Sequence, residues 1–310
     1  MQFIKIDNKT LISKFGIGTY QNFGEKVNFK ESEKIILNLY NRGINFIDSS
    51  VNYSNGYCEK LIGKILKKKN LRKDFFIASK VYFSLNKNIK TGLSKKNIEF
   101  SLKKTLNNYQ TDYIDCLQCH RFDPKVNLHK LVEVFEDQII KGKIIYWGTT
   151  NWPYSKIIEV HKICKFKDRF IFNQLPLNIL YKKNIDFLKK IKRKNFINIV
   201  YGALSKGLIS DNFIKKKYDK KFKENLNFNA KNIDLIKNLH ILCKKNKISL
   251  EEFTYSFIVN QRFVDIVLMG ISSIKYFKNL DFKKIFDKRL LNKCLLKMKK
   301  NETTKNIFQD

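Results

Sequence analysis

Long apolar runs are missing from these 310 residues. No stretch approaches the roughly 20 uninterrupted apolar positions that a membrane span needs. The first residues, Met1-Gln2-Phe3-Ile4-Lys5-Ile6-Asp7, alternate apolar and polar like a strand and carry no apolar signal core, so a cytoplasmic protein is expected. A cysteine framework is missing too. The 6 cysteines (Cys58, Cys116, Cys119, Cys164, Cys243 and Cys294) are scattered. Cys116 and Cys119 share a C-x-x-C spacing, but inside an apolar run that reads as a strand. Residues three apart on a strand face opposite ways, which excludes a shared metal or redox turn. Buried, reduced thiols are expected, and no metal. Acidic residues are scarce, 28 against 62 basic, for a net charge of +34. The lysines are spread along the chain rather than gathered in one arm or stripe, which argues against a nucleic-acid partner. Proline totals only 3 beside abundant Ile, Asn, Phe and Lys, a bias that an AT-rich genome produces without selection for binding. A weaker consequence of the charge survives: a positive field draws in phosphorylated cofactors or anionic substrates. No linker and no internal repeat interrupts residues 1–310, so one domain is expected.

What is present is a regular alternation. Apolar runs lie at Phe15–Tyr20, Ile44–Ser49, Phe75–Val81, Tyr113–His120, Ile144–Thr150, Ile171–Pro176, Ile197–Leu204 and Asp265–Ile271. Most are continuous rather than alternating, as in strands of a parallel sheet covered on both faces. Helix-period segments lie between them. Ser32 to Arg42 places Ile35, Ile36, Leu39 and Tyr40 on one side and stops at Gly43. Leu93-Ser94 opens another, with Ile98, Leu102 and Leu106 on a stripe, and Leu128 to Ile140 repeats the pattern before Gly142. Phe3 to Lys14, centred on Asn8-Lys9, reads as a small hairpin. Lys206 to Ala230 is a Lys-rich, weakly patterned connection and a candidate functional loop. Eight strands with intervening helices fit an α/β protein, either a closed (β/α)8 TIM barrel or an open doubly wound sheet.

In a βα barrel, active sites are built at the C-terminal ends of the strands. Those ends carry Asp48, with Tyr53 five positions on, then Lys80, His120, Thr150-Asn151, Gln174 and Tyr201-Gly202. A phenol is a poor acid near neutrality, with a pKa of about 10. A nearby ammonium is expected to lower that value, and a carboxylate to keep the ammonium charged and in place. An imidazole can donate to a carbonyl oxygen as it gains negative charge. These parts suit protonation of an alkoxide while hydride reaches carbon from a cofactor.

The stretch Gly43-Ile-Asn-Phe-Ile-Asp48-Ser-Ser-Val-Asn-Tyr53-Ser-Asn-Gly56-Tyr-Cys-Glu59-Lys-Leu-Ile-Gly63 resembles a signature of the aldo-keto reductases, usually GxNxxDTAxxYGxxExxLG. The resemblance implies a TIM barrel, NADPH (or NADH) as cofactor and a small-molecule carbonyl substrate. By position it makes Asp48, Tyr53, Lys80 and His120 a catalytic tetrad. Gly142 to Trp152 is similar to the family's GKxxxxGxSN motif, implying that Thr150 and Asn151 hold the nicotinamide carboxamide with Gln174, and that Tyr201 stacks on the ring. Met269-Gly270-Ile271-Ser272-Ser273 resembles the adenosine-phosphate motif, with Ser272, Ser273 and Lys275 as its contacts. The usual Arg is missing there, and Lys278 stands where Glu is common. A lysine can still meet a 2′-phosphate as a point charge, which favours NADPH over NADH. Tyr201-Gly202-Ala203-Leu204 replaces the usual Tyr-Ser-Pro-Leu, so Gly202 and Leu204 form a pyrophosphate loop without its proline.

Gly16-Ile17-Gly18 lacks the third glycine of a dinucleotide fingerprint. It reads instead as a tight strand end, with Thr19 and Tyr20 facing the cofactor. Tyr82, Phe83, Arg121 and Trp152 follow strand ends and are expected to line a substrate pocket. Arg121 hints at an anionic or polyhydroxylated substrate, with an Arg121–Asp123 pair as the alternative reading. Gly92-Leu93-Ser94-Lys95, Tyr146-Trp147-Gly148 and the overall spacing resemble the branch of potassium-channel β subunits and bacterial relatives. A cofactor-binding regulatory or scaffold subunit is therefore the alternative to an enzyme. The complete Asp, Tyr, Lys and His set favours the enzyme.

Overall fold

The computed structural model describes residues 1–215 and 227–299. The chain opens with β1 (Phe3–Lys5) and β2 (Leu11–Ser13), paired antiparallel with Phe3 opposite Ser13. Asp7 makes the turn, accepting from the backbone N–H groups of Lys9 at 2.8 Å and Thr10 at 2.7 Å, as short acidic side chains do in turns. This is the predicted hairpin. Ile4, Ile6 and Ile12 pack against the inner barrel residues, and Tyr146 donates to the Asp7 carboxylate. The hairpin thereby closes the end of the barrel at which the strands begin.

The barrel strands are β3 (Phe15–Gly18), β4 (Phe46–Asp48), β5 (Phe76–Val81), β6 (Ile114–Cys119), β7 (Ile144–Thr150), β8 (Phe170–Pro176), β9 (Ile197–Tyr201) and β10 (Ile266–Gly270). Neighbours pair in parallel, and β10 returns to β3, so the sheet closes. The fold is an α/β, (β/α)8 TIM barrel preceded by a two-stranded sheet. All eight apolar runs became barrel strands. Alternation divides each one. Phe46, Phe76, Cys116, Tyr146, Phe172, Ile199 and Leu268 fill the interior, while Ile17, Ile47, Ile77, Leu117 and Trp147 meet the surrounding helices. Gly16 serves this packing, because a Cβ there would stand 2.5 Å from Cδ1 of Phe46. Cys116 lies inside the barrel and Cys119 outside it, as their spacing predicted, and all 6 cysteines are buried.

The first helices are α1 (Phe29–Asn41), α2 (Tyr57–Lys69), α3 (Lys95–Tyr109), α4 (Leu128–Ile140), α5 (Tyr154–Ile163) and α6 (Ile185–Lys192). α4 spans the predicted residues. α1 starts three residues before the expected Ser32, because Asn28 caps it by accepting from Glu31 N. Ser94 caps α3 in the same way. In the segment Lys206 to Ala230, a short turn at Ser205–Gly207 leads into α7 (Asp211–Lys215). Residues 216–226 of that segment lie outside the described residues. α8 (Ala230–Lys245), α9 (Leu250–Val259), α10 (Ile274–Lys278), α11 (Phe282–Phe286) and α12 (Lys288–Lys299) complete the ring.

Candidate active site

The period of two carries polar side chains to the mouth of the barrel. Two residues beyond the interior Phe46 is Asp48; two beyond Ala78 is Lys80; two beyond Cys116 is Gln118; two beyond Phe172 is Gln174; two beyond Ile199 is Tyr201. Thr150, paired with Gln174 in the ladder, joins them. The mouth thus carries a set of polar side chains above an apolar floor.

Lys80 is fully buried, which a lysine tolerates only with partners. Its Nζ donates to Asp48 Oδ2 at 2.5 Å, to the Ser49 carbonyl at 2.9 Å and to Tyr53 Oη at 3.4 Å. Gln174 Nε2 donates to the other Asp48 oxygen at 2.8 Å, so both carboxylate oxygens are engaged. Tyr53 sits in the turn Tyr53–Gly56, where Ser54 and Asn55 adopt left-handed backbone with φ of 50° and 52°. Its ring meets that of His120 edge-on at 5.9 Å. Carboxylate, ammonium, phenol and imidazole, dispersed over 73 residues of chain (48 to 120), therefore converge.

The electrostatics differ from expectation at one point. Burial raises the Tyr53 phenol well above its usual value, and the Asp48 carboxylate raises it further, since both disfavour phenolate. The Lys80 ammonium does not reverse this. Tyr53 is therefore a neutral hydroxyl at neutral pH, a donor rather than a base. His120 moves down to about 3, through burial first and then the positive charges of Lys80 and Arg121, so its imidazole is neutral.

On one side of the mouth Tyr201 Oη donates to Asn151 Oδ1 at 2.9 Å, and Asn151 N donates to the Gln174 carbonyl at 3.1 Å. Asn151 has φ of 58°, which turns the chain sharply after β7. Thr150 Oγ1 donates to Gln118 Oε1 at 3.1 Å. Thr19 is buried and donates through Oγ1 to the Asp48 carbonyl at 2.9 Å. Tyr20 is exposed, with its ring 5.0 Å from that of Tyr53. Gly202 has φ of 74° and open space where a Cβ would stand, and Leu204 is half-buried against the outer core. Thr150, Asn151, Gln174 and Tyr201 are thus one interlocked group at the mouth of the barrel.

Beyond β10, Ser272 and Lys275 are exposed and Ser273 caps α10, accepting from Lys275 N at 3.3 Å. The N–H of Ile274 is already taken by Glu31 Oε1 at 3.1 Å. Around the other side, Tyr82 packs on Phe83, and Phe83 meets His120 edge-on at 5.5 Å. Trp152 is buried against Phe122 at 5.0 Å. Arg121 is exposed and makes no side-chain hydrogen bond or ion pair among the described residues. Asp123 accepts instead from Leu93 N and Lys125 N, so the Arg121–Asp123 pair does not form.

Three residues escaped the sequence reading. Ser50 Oγ lies 3.4 Å from His120 Nδ1 and bonds Asn52 Oδ1 at 2.6 Å. Glu31 reaches the Ile274 turn from α1. Gln118 was visible only as a polar residue two positions before His120 in an apolar strand.

A closed parallel barrel whose mouth gathers a buried lysine–carboxylate pair, a phenol and an imidazole has the form of a barrel enzyme. The chain belongs to the aldo/keto reductase family, whose model matches residues 14–281. Membership carries with it NAD(P)H-dependent oxidoreduction of small-molecule carbonyl compounds in general. None of the described helices is long and apolar enough to cross a membrane.

Proposed function

We propose that this protein reduces an aldehyde or ketone to an alcohol with Tyr53 as the proton donor. The observation that carries the reading is Lys80 Nζ standing 2.5 Å from Asp48 and 3.4 Å from Tyr53 Oη in a buried site. When bound, the reduced nicotinamide supplies hydride to the carbonyl carbon. His120, a neutral imidazole, donates a hydrogen bond to the carbonyl oxygen and orients it. As charge develops on that oxygen, Tyr53 Oη gives up its proton, forming the alcohol O–H. The phenolate left behind is stabilised by Lys80, which Asp48 holds in place. Gln174 keeps Asp48 from rotating away.

Thr150, Asn151, Gln174 and Tyr201 would hold the nicotinamide end, Thr19, Tyr20, Gly202 and Leu204 the middle, and Ser272, Ser273 and Lys275 the adenosine phosphate. Lys275 supports NADPH as the preferred nucleotide, with NADH as the alternative. Tyr82, Phe83 and Trp152 offer an aromatic wall to the substrate, and the unpaired Arg121 suits an anionic or polyhydroxylated one. The segments Gly92–Lys95 and Tyr146–Gly148 support placement in the branch of channel β-subunit-like and bacterial members. The complete tetrad supports an enzyme over a scaffold.

Tyr53→Phe removes the proton and little volume. Turnover is expected to fall on the order of 10²–10⁴-fold, while NADPH still quenches the protein's own fluorescence. A Tyr53→Phe enzyme that keeps most of its rate overturns the assignment.

A further inference from the structure

Gln118 is one of the polar side chains at the mouth, beside Lys80, its ladder partner on β5, and within reach of Thr150 on β7. It is fully buried. Its Oε1 accepts from Thr150 Oγ1 at 3.1 Å, yet its Nε2 has no hydrogen-bond partner. Buried donors without a partner are rare in folded proteins, and each one calls for an explanation such as a ligand. Phe or Leu would fill this position without that cost.

The hydrogen-bond polarity supplies the explanation. A threonine hydroxyl has one proton, and Thr150 gives it to Gln118. Oγ1 of Thr150 is left as an acceptor only, and Nε2 of Gln118 is left as a donor only. An acceptor and a donor side by side are what a primary carboxamide, with its N–H2 and its C=O, recognises. We propose that Gln118 orients the nicotinamide carboxamide, setting Thr150 as acceptor for the amide nitrogen and supplying a donor of its own. This rests on the oxidoreductase reading above.

The test uses Gln118→Met, which keeps length and removes both polar atoms, and two fluorescence-quenching titrations. One uses NADPH, the other 2′-phospho-ADP-ribose, which lacks the nicotinamide. The expected result is a roughly tenfold weaker NADPH Kd, about 1.4 kcal/mol, with 2′-phospho-ADP-ribose binding unchanged. Thr150→Val should show the same split, and the double variant should be no worse than the weaker single one, because the two side chains act as a unit. Gln118→Asn keeps an amide but withdraws it by one methylene, and should also weaken NADPH alone. Equal weakening of both ligands, unaltered NADPH binding with a lowered Tm, or additive losses in the double variant would each overturn the proposal. Wild-type protein that binds neither ligand would overturn the oxidoreductase reading itself, and this proposal with it.

Discussion

Tyr53 and His120 are both neutral near pH 7, and for the same reason: the mouth of the barrel is too poorly solvated to reward charge on either. Lys80, buried there, is paired with Asp48. Two consequences follow for pH. In the proposed mechanism reduction needs the phenol protonated and the imidazole neutral, so its kcat/KM should be flat through neutrality. It should fall only as His120 takes up a proton toward about 3, or as Tyr53 ionises well above the usual phenol range. Alcohol oxidation needs the phenolate as base, so its rate should keep rising into the alkaline range. Rate profiles in both directions check this, and a reduction optimum bounded by ionisations near pH 7 would contradict it. The sign for stability is equally fixed. Folding lowers the His120 pKa from 6.5 to about 3, so its contribution is present above 6.5 and is lost as pH falls through that interval.

The elements that carry the tetrad are held from behind by α2 and α3. Glu59 on α2 is fully buried and accepts from Ser79 Oγ at 2.5 Å, Asn108 Nδ2 at 3.2 Å and Thr105 Oγ1 at 3.3 Å. One carboxyl group thereby ties α2 and α3 to the strand that bears Lys80, and its burial raises its pKa. One turn further along α2, Gly63 lets the helices approach until a Cβ would lie 2.2 Å from the Asn108 carbonyl oxygen. Backbone cannot yield as a flexible side chain does. Gly63→Ala is expected to destabilise the fold by about 1–3 kcal/mol through overpacking, read as a lower urea midpoint at unchanged slope. A midpoint equal to wild type would show that α2 and α3 separate freely. The same helix pair illustrates what the sequence hid. Gly63 matched a family signature, but its reason lies in Asn108 and Tyr109, 45 and 46 residues away.

At the scale of the whole molecule, the net charge of +34 surrounds a mouth proposed to take a phosphorylated nucleotide. The ion pairs at the surface are mostly exposed and weak. The positive field should therefore act through association rather than stability. The apparent NADPH association rate is expected to fall several-fold between low and physiological salt, as screening shortens to about 8 Å. A rate indifferent to salt would make the lysines solvated surface and nothing more.

The class of fold was determined by the sequence alone, because strand and helix follow from the period of apolar residues, a local property. Eight buried runs, the α4 boundaries and the hairpin centred on Asn8-Lys9 all came from neighbours a few residues apart. The order of Asp48, Tyr53, Lys80 and His120 was legible as well, since each lies at or just beyond the end of an apolar run. Their proton affinities were not. The sequence suggested that Lys80 would acidify Tyr53, but the balance depends on burial, which only the closed barrel sets. The Gln118–Thr150 bond and the reach of Glu31 to Ile274 also belong to the tertiary structure, for they join side chains 32 and 243 positions apart. Distance and desolvation are properties of the assembled barrel, and no window along the chain contains them.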